Sequence, residues 1–468
     1  MGASTPGRRV VVTGMGVLTP LGNDVEAFWQ GCVEGRSGLG WATMCDYSRY
    51  DVKVDGEVKG FDPQDFMERK EARRMARFSQ LSVAAARMAI EDAGLCLDRE
   101  DRTRLGVLVG NGNGGTPETD QAVRTIVDKG GHRLDPFYVS KTLPNMAAAH
   151  IAMQFGLKGY NNTVTTACAA GTQAIGDALD VIRFGRADVM IAGGSEAGIC
   201  ELGLAGFAIM RALSTRHDDP TKASRPFDAD RDGFVCAEGA CILILETLAH
   251  AQRRGARILA ELAGYGAGSD AYHIVAPCVD GEGAQRAMRL AIEDAGLRPE
   301  DIDYVNAHGT STPANDAAET AAIKAVFGER AYQIPVSSTK SMIGHALGAS
   351  GAIESVACLK TIETGIIPPT INYETADPEC DLDYVPNKAR RLDGVRTVLK
   401  NSFGFGGQNA CLVFKRFETL GRHSQKEPEA LVHPQYLSQL SRTLRERREP
   451  VRDHSQPGAG AAPSPPCP

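Results

Sequence analysis

The chain has 468 residues, of which 43% are hydrophobic and 23% are charged, so it can bury one large core or two fused ones, as an ordinary globular protein does. Its formal net charge of -7 excludes a global attraction to nucleic-acid phosphates, and the body of the chain has no local basic patch. The N-terminus lacks the apolar stretch of a secretory signal, and no apolar run is long enough to cross a membrane. We therefore expect a cytoplasmic protein that binds no nucleic acid and does not insert into membranes.

The twelve cysteines are scattered along the chain, without a C-x-x-C pair, an H-E-x-x-H motif or a dense short-range framework. This spacing argues against a structural zinc site and against a disulfide scaffold. We expect reduced thiols and no bound metal.

Short β-branched runs alternate with longer segments of helical period, which predicts an α/β fold with largely buried sheets. The clearest predicted strands are residues 9–13, 105–109, 189–192, 302–306 and 334–338, and the clearest predicted helices are residues 75–93 and 282–295.

An internal repeat predicts that the chain is duplicated. The heptapeptide AIEDAGL occurs at residues 89–95 and again at 291–297, each time at the end of a helical segment. Further along each half, a strand containing Ser and Thr leads into a helix of small residues. We expect one α/β half at residues 8–258 and a second at 259–417. Residues 418–468 are charged and then rich in Pro, Gly and Ala, which predicts a disordered tail.

Residues 110–115 read Gly-Asn-Gly-Asn-Gly-Gly after a predicted strand and satisfy the G-x-G-x-x-G pattern of dinucleotide-binding folds. Thr116 and Pro117 interrupt the junction with the next helix, and no clear acidic residue ends a second strand at the required distance. An NAD-dependent oxidoreductase is therefore a weak alternative.

Cys168 lies in TTACAAG, where a predicted strand ends and a helix rich in Ala and Gly begins. At a helix N-terminus, free backbone N–H groups and the positive end of the helix dipole lower a thiol pKa and can stabilise an oxyanion. This is the setting of a nucleophile. The alternative is that Cys168 is one more small buried residue.

Two histidines favour the catalytic interpretation. His308 and His345 each lie in a glycine-rich turn at the end of a predicted strand, the edge of an α/β sheet where ligands bind. One cysteine and two histidines suit decarboxylative carbon–carbon bond formation, in which a thiolate carries an acyl group and imidazole N–H groups hold an enolate oxygen. Lys340 and Glu319, with Asp316, form either a charge cluster that tunes this site or structural ion pairs.

A last glycine-rich stretch, residues 401–407, lies between two predicted strands. Its glycines allow tight turns and close backbone approach. The stretch is either a mobile gate that lends a backbone N–H to the oxyanion or a hairpin loop, and spacing alone leaves both interpretations open.

A series of ordered motifs runs from about Arg9 to Arg416: VVVTGMGVLTPLG, TACAAG, RPFDADRDGF, VNAHGTSTPANDAAET, SSTKSMIGHALGASGA, PPTIN and NSFGFGG. Together they resemble the type II beta-ketoacyl-acyl carrier protein synthases, the elongation condensing enzymes of fatty acid biosynthesis. The resemblance implies the thiolase fold, with two related α/β halves in a five-layer α-β-α-β-α arrangement, usually as a homodimer. It implies acyl carrier protein as partner and no cofactor beyond the phosphopantetheine that the carrier brings.

The resemblance also implies roles for single residues. Cys168 would be the acylated nucleophile, and His308 and His345 would assist decarboxylation of the malonyl group. Lys340 would support the histidines, with Glu319 as its charge partner. The other implied roles are a gate and oxyanion N–H donor at Phe403, contacts to the phosphopantetheine arm at Thr310 and Thr312, and an acyl pocket lined by Phe207 and Asn113.

Asn113 departs from the apolar or small residue usual at the far end of the acyl pocket and leaves the preferred chain length open. A ketosynthase of a polyketide or other specialised pathway shares the same chemistry. A non-catalytic chain-length partner subunit would lack the nucleophile, whereas Cys168 is present. A biosynthetic thiolase would use a second cysteine in place of the histidine pair.

Overall fold

The computed structural model describes residues 8–418, so the predicted tail lies outside the described residues except for Glu418. The strands are β1 (Val10–Leu18), β2 (Gly40–Trp41), β3 (Val54–Asp55), β4 (Leu105–Gly110), β5 (Asn161–Val164), β6 (Val189–Glu196), β7 (Gly239–Thr247), β8 (Ala260–Ser269), β9 (Tyr304–Asn306), β10 (Val336–Ser337), β11 (Ile366–Ile367), β12 (Arg390–Arg391), β13 (Thr397–Gly404) and β14 (Gln408–Lys415).

The α-helices of the described residues alternate with these strands. They are α1 (Val25–Glu34), α2 (Arg69–Ala72), α3 (Arg77–Asp92), α4 (Thr116–Lys129), α5 (Tyr138–Thr142), α6 (Met146–Phe155), α7 (Ala170–Arg183), α8 (Glu201–Ile209), α9 (Leu248–Arg253), α10 (Glu282–Asp294), α11 (Pro313–Phe327), α12 (Lys340–Ile343) and α13 (Ser350–Thr364). None of the helices within residues 8–418 is long and apolar enough to span a bilayer.

Ten strands form one continuous mixed sheet in the order β10-β9-β13-β14-β8-β1-β7-β6-β4-β5. Numbered in chain order within each half, both sets of five strands follow the order 3-2-4-5-1. The pairing directions also match: strand 2 is parallel to strands 3 and 4, and strand 5 is antiparallel to strands 4 and 1. The halves join where β1 pairs with β8. The predicted duplication is confirmed by this shared topology.

Helices cover the sheet in layers. α7 and α13 lie in the centre and contact strands of both halves, while α3 and α6 cover the first half-sheet and α10 covers the second. Residues of β7 alternate between the two faces: Leu243 and Leu245 join the central core, and Ile242 and Ile244 join the core under α3. This alternation with both faces buried is the property of a strand between two helical layers.

The repeated heptapeptide marks a close contact between helix and strand in each half. A Cβ on Gly14 of β1 would lie 2.4 Å from the Ala89 carbonyl, and a Cβ on Gly264 of β8 would lie 2.2 Å from the Ala291 carbonyl. Only glycine allows the helix to approach the strand so closely. The glycines also explain why the predicted strand at residues 9–13 was too short, since β1 continues through Gly14 to Leu18.

Candidate active site

A pocket of about 340 Å³ lies beyond the C-terminal ends of β5, β9 and β10. Cys168, His308 and His345 all line it, although the two histidines come 140 and 177 residues after the cysteine along the chain. The duplicated topology brings the three together, because equivalent strands of the two halves end beside the central helices.

Cys168 lies in the short 3-10 turn Ala167–Ala169, between β5 and α7. Ala167 has a φ of 50°, in the left-handed region that residues with a Cβ rarely occupy. The bend places Cys168 just before the first turn of α7, where backbone N–H groups lack helical partners. Its side chain is 8% exposed.

Burial dominates the titration of this thiol and raises the pKa of Cys168 to about 12, and the charge of Glu196 acts in the same direction. The charge of Lys340 and the backbone N–H groups of Phe405 and Cys168 oppose the rise. The expected low pKa of Cys168 is therefore wrong, because burial of the thiol outweighs the groups that favour the thiolate.

His308 follows β9 and is held by its backbone. Its N–H donates to Glu319 Oε1 at 2.8 Å, and its carbonyl accepts from Lys340 Nζ at 2.7 Å. The ring nitrogen Nδ1 is buried and has no hydrogen-bond partner within residues 8–418. Burial, together with the charge of Lys340, lowers the pKa of His308 well below its ordinary value, so the imidazole is neutral.

His345 is fixed at both its backbone and its ring. The Val235 carbonyl accepts from its N–H at 2.7 Å, and the Ala237 N–H donates to its carbonyl at 3.0 Å. Nδ1 lies 2.8 Å from Ser350 Oγ, which leaves Nε2 for a ligand. Burial lowers the pKa of His345 well below its ordinary value. The rings of His308 and His345 meet edge to face with centroids 5.4 Å apart.

Lys340 has a different charge partner from the one predicted. Its Nζ lies 2.5 Å from Glu354 Oε1, with both side chains buried. Glu319 instead accepts the N–H groups of His308 and Gly309 at 2.8 and 2.7 Å. The prediction of a Lys340–Glu319 pair is therefore wrong, because the carboxylate in contact with the Lys340 ammonium belongs to Glu354 of α13. Glu319 supports the backbone of the histidine loop.

Asp316 also belongs to a separate network. Its Oδ2 accepts the backbone N–H of Phe227 at 2.8 Å and lies 3.5 Å from Arg231 Nε. Asp316, in the first turn of α11, therefore forms a structural ion pair with Arg231, the alternative that the sequence left open.

The glycine-rich stretch 401–407 forms the end of β13 and a tight turn into β14. The ring of Phe403 lies edge to face against His308, with centroids 5.6 Å apart. The backbone N–H beside the Cys168 sulfur belongs to Phe405. The predicted oxyanion donor is thus corrected from Phe403 to Phe405, since Phe403 is paired with Asn409 in the β13–β14 ladder. Spacing alone did not distinguish the two phenylalanines.

Other predicted residues divide between the pocket and the surface. Thr310, Thr312 and Phe207 line the pocket, and the two threonine hydroxyls are 2.9 Å apart. Asn113 is exposed in the single chain and does not line this pocket. Its backbone N–H donates to Glu196 at 3.2 Å. The expected place of Asn113 in the acyl pocket is not found in the single chain.

The glycine stretch at residues 110–115 binds a carboxylate of its own chain. Buried Glu196 accepts backbone N–H groups from Gly112 at 2.8 Å and from Gly348 at 3.1 Å. A Cβ on Gly110 would lie 2.3 Å from the Ala170 backbone, so the first glycine serves helix packing. The N–H groups that would hold a pyrophosphate are occupied, which argues against the NAD-dependent alternative.

Sequence reasoning missed Glu354, Ser350 and Phe405. Glu354 had one available signal: it is the sole charged residue within the run SGAIESVAC, otherwise apolar or small and buried throughout as α13. A charge at such a position requires a buried partner. Among the residues that the structure describes, no group of His, Cys, Asp and Glu is arranged to hold a metal ion.

Two family models match the chain. The model of the beta-ketoacyl synthase N-terminal domain matches residues 7–251, and that of the beta-ketoacyl synthase C-terminal domain matches residues 259–374.

Curated relatives match over most of the chain. A 3-oxoacyl-(acyl-carrier-protein) synthase 2 from Synechocystis is 53% identical over 411 residues, which cover 88% of this chain and 99% of the relative. A protein of the same name from Staphylococcus aureus is 49% identical over the same length, with the same coverage.

Solved structures share the fold. The ishigamide ketosynthase/chain length factor has a TM-score of 0.83 at 40% identity, and a beta-ketoacyl synthase from Burkholderia phymatum has a TM-score of 0.81 at 37% identity. A type II polyketide ketosynthase in complex with its acyl-carrier protein has a TM-score of 0.81 at 38% identity. Each comparison covers 88% of this chain and 100% of the other. With both halves matched and the cysteine and two histidines in one pocket, the chain belongs to the beta-ketoacyl synthase family.

Proposed function

We propose that this protein condenses an acyl group, carried on Cys168, with malonyl-acyl carrier protein, releasing carbon dioxide and 3-oxoacyl-acyl carrier protein. The observation that carries the proposal is the meeting of Cys168, His308 and His345 in one pocket. The thiol supplies the nucleophile. The two imidazoles are neutral in the resting enzyme and supply N–H groups for hydrogen bonds.

The first half-reaction loads the enzyme. The Cys168 sulfur attacks the carbonyl carbon of the acyl thioester as its thiol gives up a proton. When the tetrahedral oxyanion collapses, the bond to the carrier's sulfur breaks, and that sulfur takes up the proton and leaves as a thiol. Backbone N–H groups of Cys168 and Phe405 suit the oxyanion, because both already favour negative charge on the neighbouring sulfur.

The second half-reaction forms the carbon–carbon bond. The malonyl carboxylate leaves as carbon dioxide, and its bonding electron pair passes to an enolate whose oxygen accepts hydrogen bonds from His308 and His345. The enolate carbon attacks the acyl-Cys168 carbonyl, and the sulfur leaves as a thiolate. The negative charge of the carboxylate thus ends on Cys168, and no metal or redox cofactor enters the balance.

Substrate delivery falls to an acyl carrier protein. Thr310 and Thr312 place two hydroxyl groups on the pocket wall, which suits the amides of a phosphopantetheine arm. The polyketide ketosynthase noted above binds its acyl-carrier protein in the same fold. Fatty acid elongation is the pathway we infer, since relatives at 49–53% identity are 3-oxoacyl-(acyl-carrier-protein) synthases. A cytoplasmic location stays a prediction.

A homodimer completes the proposal. β5 ends the ten-stranded sheet, and its first two residues are exposed, so the strand offers an unpaired edge. In the same half of the chain, Val123 and Val127 of α4 are 53% and 78% exposed. An open edge and exposed apolar side chains are features that a second copy would bury. Light scattering during gel filtration should give twice the chain mass, and the chain mass alone would contradict the dimer.

The central experiment is intact-protein mass spectrometry after mixing the protein with acyl-carrier-protein thioesters of graded chain length, followed by malonyl-carrier protein. The wild type should gain one acyl group and discharge it as a 3-oxoacyl product. Cys168→Ala should gain none, whereas Cys96→Ala, which removes an exposed cysteine, should behave as wild type. An adduct that persists in Cys168→Ala would disprove the nucleophile assignment. The chain lengths accepted distinguish fatty acid elongation from a specialised pathway.

A further inference from the structure

Beside the pocket, two buried lysines share one buried carboxylate. Glu354 Oε1 lies 2.5 Å from Lys340 Nζ, and Glu354 Oε2 lies 2.7 Å from Lys400 Nζ. None of the three side chains is more than 1% exposed. Lys400 also donates to the Asn401 carbonyl and to Ser402 Oγ. Lys340 is tied directly to the site through the His308 carbonyl, whereas Lys400 does not line the pocket.

A second buried carboxylate completes the group. Glu319 accepts three N–H donors, from the backbone of His308 and Gly309 and from the side chain of Asn401 at 3.2 Å. Three donors and no acceptor suit the ionised form. The set then holds two ammonium groups and two carboxylates, so its charges balance.

The balance depends on Lys400. With Lys400 removed, Lys340 alone would face Glu354 and Glu319, and the set would carry a net negative charge beside a site that forms two anions in turn. These anions are the Cys168 thiolate and the enolate. A buried charge of the same sign raises a thiol pKa and disfavours an enolate.

We propose that Lys400 is a positioning residue for the condensation: by pairing with Glu354, it supplies the second positive charge of the set, keeps Lys340 available to the histidine loop and keeps the site free of net negative charge. The inference rests on the proposed function for its meaning, although its first test needs no acyl substrate. The charge of Lys400 also lowers the pKa of His308 and His345. Both imidazoles therefore stay neutral, and each can donate an N–H to the enolate oxygen without transferring a proton.

Other titratable groups surround the set. Those on neighbouring elements are Cys358 of α13, Cys411 of β14, Tyr304 of β9, Glu196 of β6 and the Arg231–Asp316 pair. The Lys400 and Glu354 variants keep all of these side chains. The charge of Lys400 lowers the pKa of Cys358 and Cys411, and the charge of Glu354 raises the pKa of Cys358 and Tyr304, so both cysteines are followed beside Cys168.

The first test measures the rate at which iodoacetamide alkylates Cys168 at pH 8, followed by peptide mass spectrometry to separate Cys168 from the other cysteines. The rate follows the thiolate fraction. Lys400→Met should slow alkylation about tenfold, the effect of a rise of about one unit in the pKa of Cys168. Lys388→Met, which removes an exposed lysine, should leave the rate unchanged.

A double variant separates charge from packing. Lys400→Met with Glu354→Gln leaves Lys340 against Glu319 and restores the balance of charge, so alkylation should return to within about threefold of wild type. A purely structural role predicts the reverse, with the double variant slower than the single one. An unchanged rate in Lys400→Met, or a double variant slower than the single, would overturn the inference.

The second readout tests the link to the reaction. For malonyl-carrier-protein decarboxylation, Lys400→Met should lower kcat by a larger factor than it raises KM, since the charge acts on the enolate and not on carrier binding. Slow alkylation together with wild-type decarboxylation would overturn the role in condensation. If the wild type itself fails to condense, the proposed function fails, and the alkylation rates still decide whether Lys400 sets the charge at Cys168.

Discussion

Leu347 holds in the second half the place that Ala167 holds in the first, and both have a left-handed backbone, with φ of 44° and 50°. Each opens a 3-10 turn that leads into a central helix, α13 or α7. The next residue is Gly348 in one turn and Cys168 in the other. The duplication thus kept the same bend twice. One copy carries the nucleophile, and the other carries a glycine whose Cβ would lie 2.5 Å from the Gly112 nitrogen.

Gly171→Ala should destabilise the fold at this contact. A Cβ on Gly171 would lie 2.7 Å from the Gly348 carbonyl and 3.1 Å from the Ala352 nitrogen, and both are backbone atoms of the opposite half. Crowding of this kind costs about 1–3 kcal/mol. Denaturant unfolding should show the loss, and Gly131→Ala, where a Cβ meets open space, serves as the control. Equal stability of the two variants would show that the backbone around Gly171 accommodates the added methyl group without cost.

Gly404→Ala should damage catalysis more than stability. The added Cβ would lie 2.6 Å from the Thr166 carbonyl and 3.1 Å from the Cys168 nitrogen, so it displaces one of the two N–H groups assigned to the oxyanion. Loss of one such donor slows acyl transfer about 10²–10³-fold. Stopped-flow measurement of acyl-enzyme formation checks this rate. Acylation at the wild-type rate in a folded variant would remove these N–H groups from the mechanism.

The repeated motifs made much of the fold predictable. AIEDAGL occurs twice because Ala89 and Ala291 each pack against a strand glycine. The same tertiary contact in both halves thus requires the same local sequence. Cys168, His308 and His345 were found for a related reason: each lies a few residues after a predicted strand and beside small residues. In the structure the short helix α12 separates β10 from His345. Signals of this kind lie within a few residues of the group that they identify.

Charge partners could not be predicted in the same way. Lys340 meets Glu354 and not Glu319 because Glu354 lies on α13, the central helix that contacts strands of both halves, and helix placement is a tertiary property. Which phenylalanine lends its N–H to the oxyanion, Phe403 or Phe405, depends on where β13 ends. The glycines of this stretch make that end unpredictable from sequence. The raised pKa of Cys168 depended on burial, which outweighed the helix N-terminus.

Cys168→Gln should separate decarboxylation from condensation. The glutamine amide cannot accept an acyl group, whereas His308 and His345 remain to hold the enolate oxygen. We expect carbon dioxide release from malonyl-carrier protein with no 3-oxoacyl product, measured by isotope release and mass spectrometry. Adding His345→Ala to this variant should slow the release about 10²–10⁴-fold. An unchanged release in the double variant would remove His345 from the enolate site.

Ser350→Ala should act through His345. The serine hydroxyl lies 2.8 Å from Nδ1 and, as donor, leaves the ring proton on Nε2, where the enolate needs it. Without that bond the ring loses its preferred tautomer, and decarboxylation should slow by about tenfold or more. Ser355→Ala is the matched control, because Ser355 is a buried serine one turn later whose hydroxyl donates to Gly351. Loss of acylation and decarboxylation in equal measure would indicate general disruption of α13 instead.

The neutral histidines make stability depend on pH in a defined direction. Burial lowers the pKa of His345 in the folded state, so the unfolded chain binds a proton first as the pH falls. Folding stability is therefore retained above about pH 6.5, the unfolded value, and is lost as the pH falls from there toward the folded pKa. One such group contributes at most about 1.4 kcal/mol per pH unit. Denaturant unfolding at pH 7.5 and pH 5.5 measures the loss.

The comparison that isolates this group is His345→Gln, which cannot take up a proton. Other groups titrate in the same range, and His250 acts in the opposite direction because Glu246 raises its pKa. These contributions are common to both proteins and cancel in the difference. The wild type should therefore lose about 1 kcal/mol more than His345→Gln between the two pH values. An equal loss would mean that His345 is protonated as readily in the folded protein as in the unfolded chain, and it would then enter the reaction as a cation.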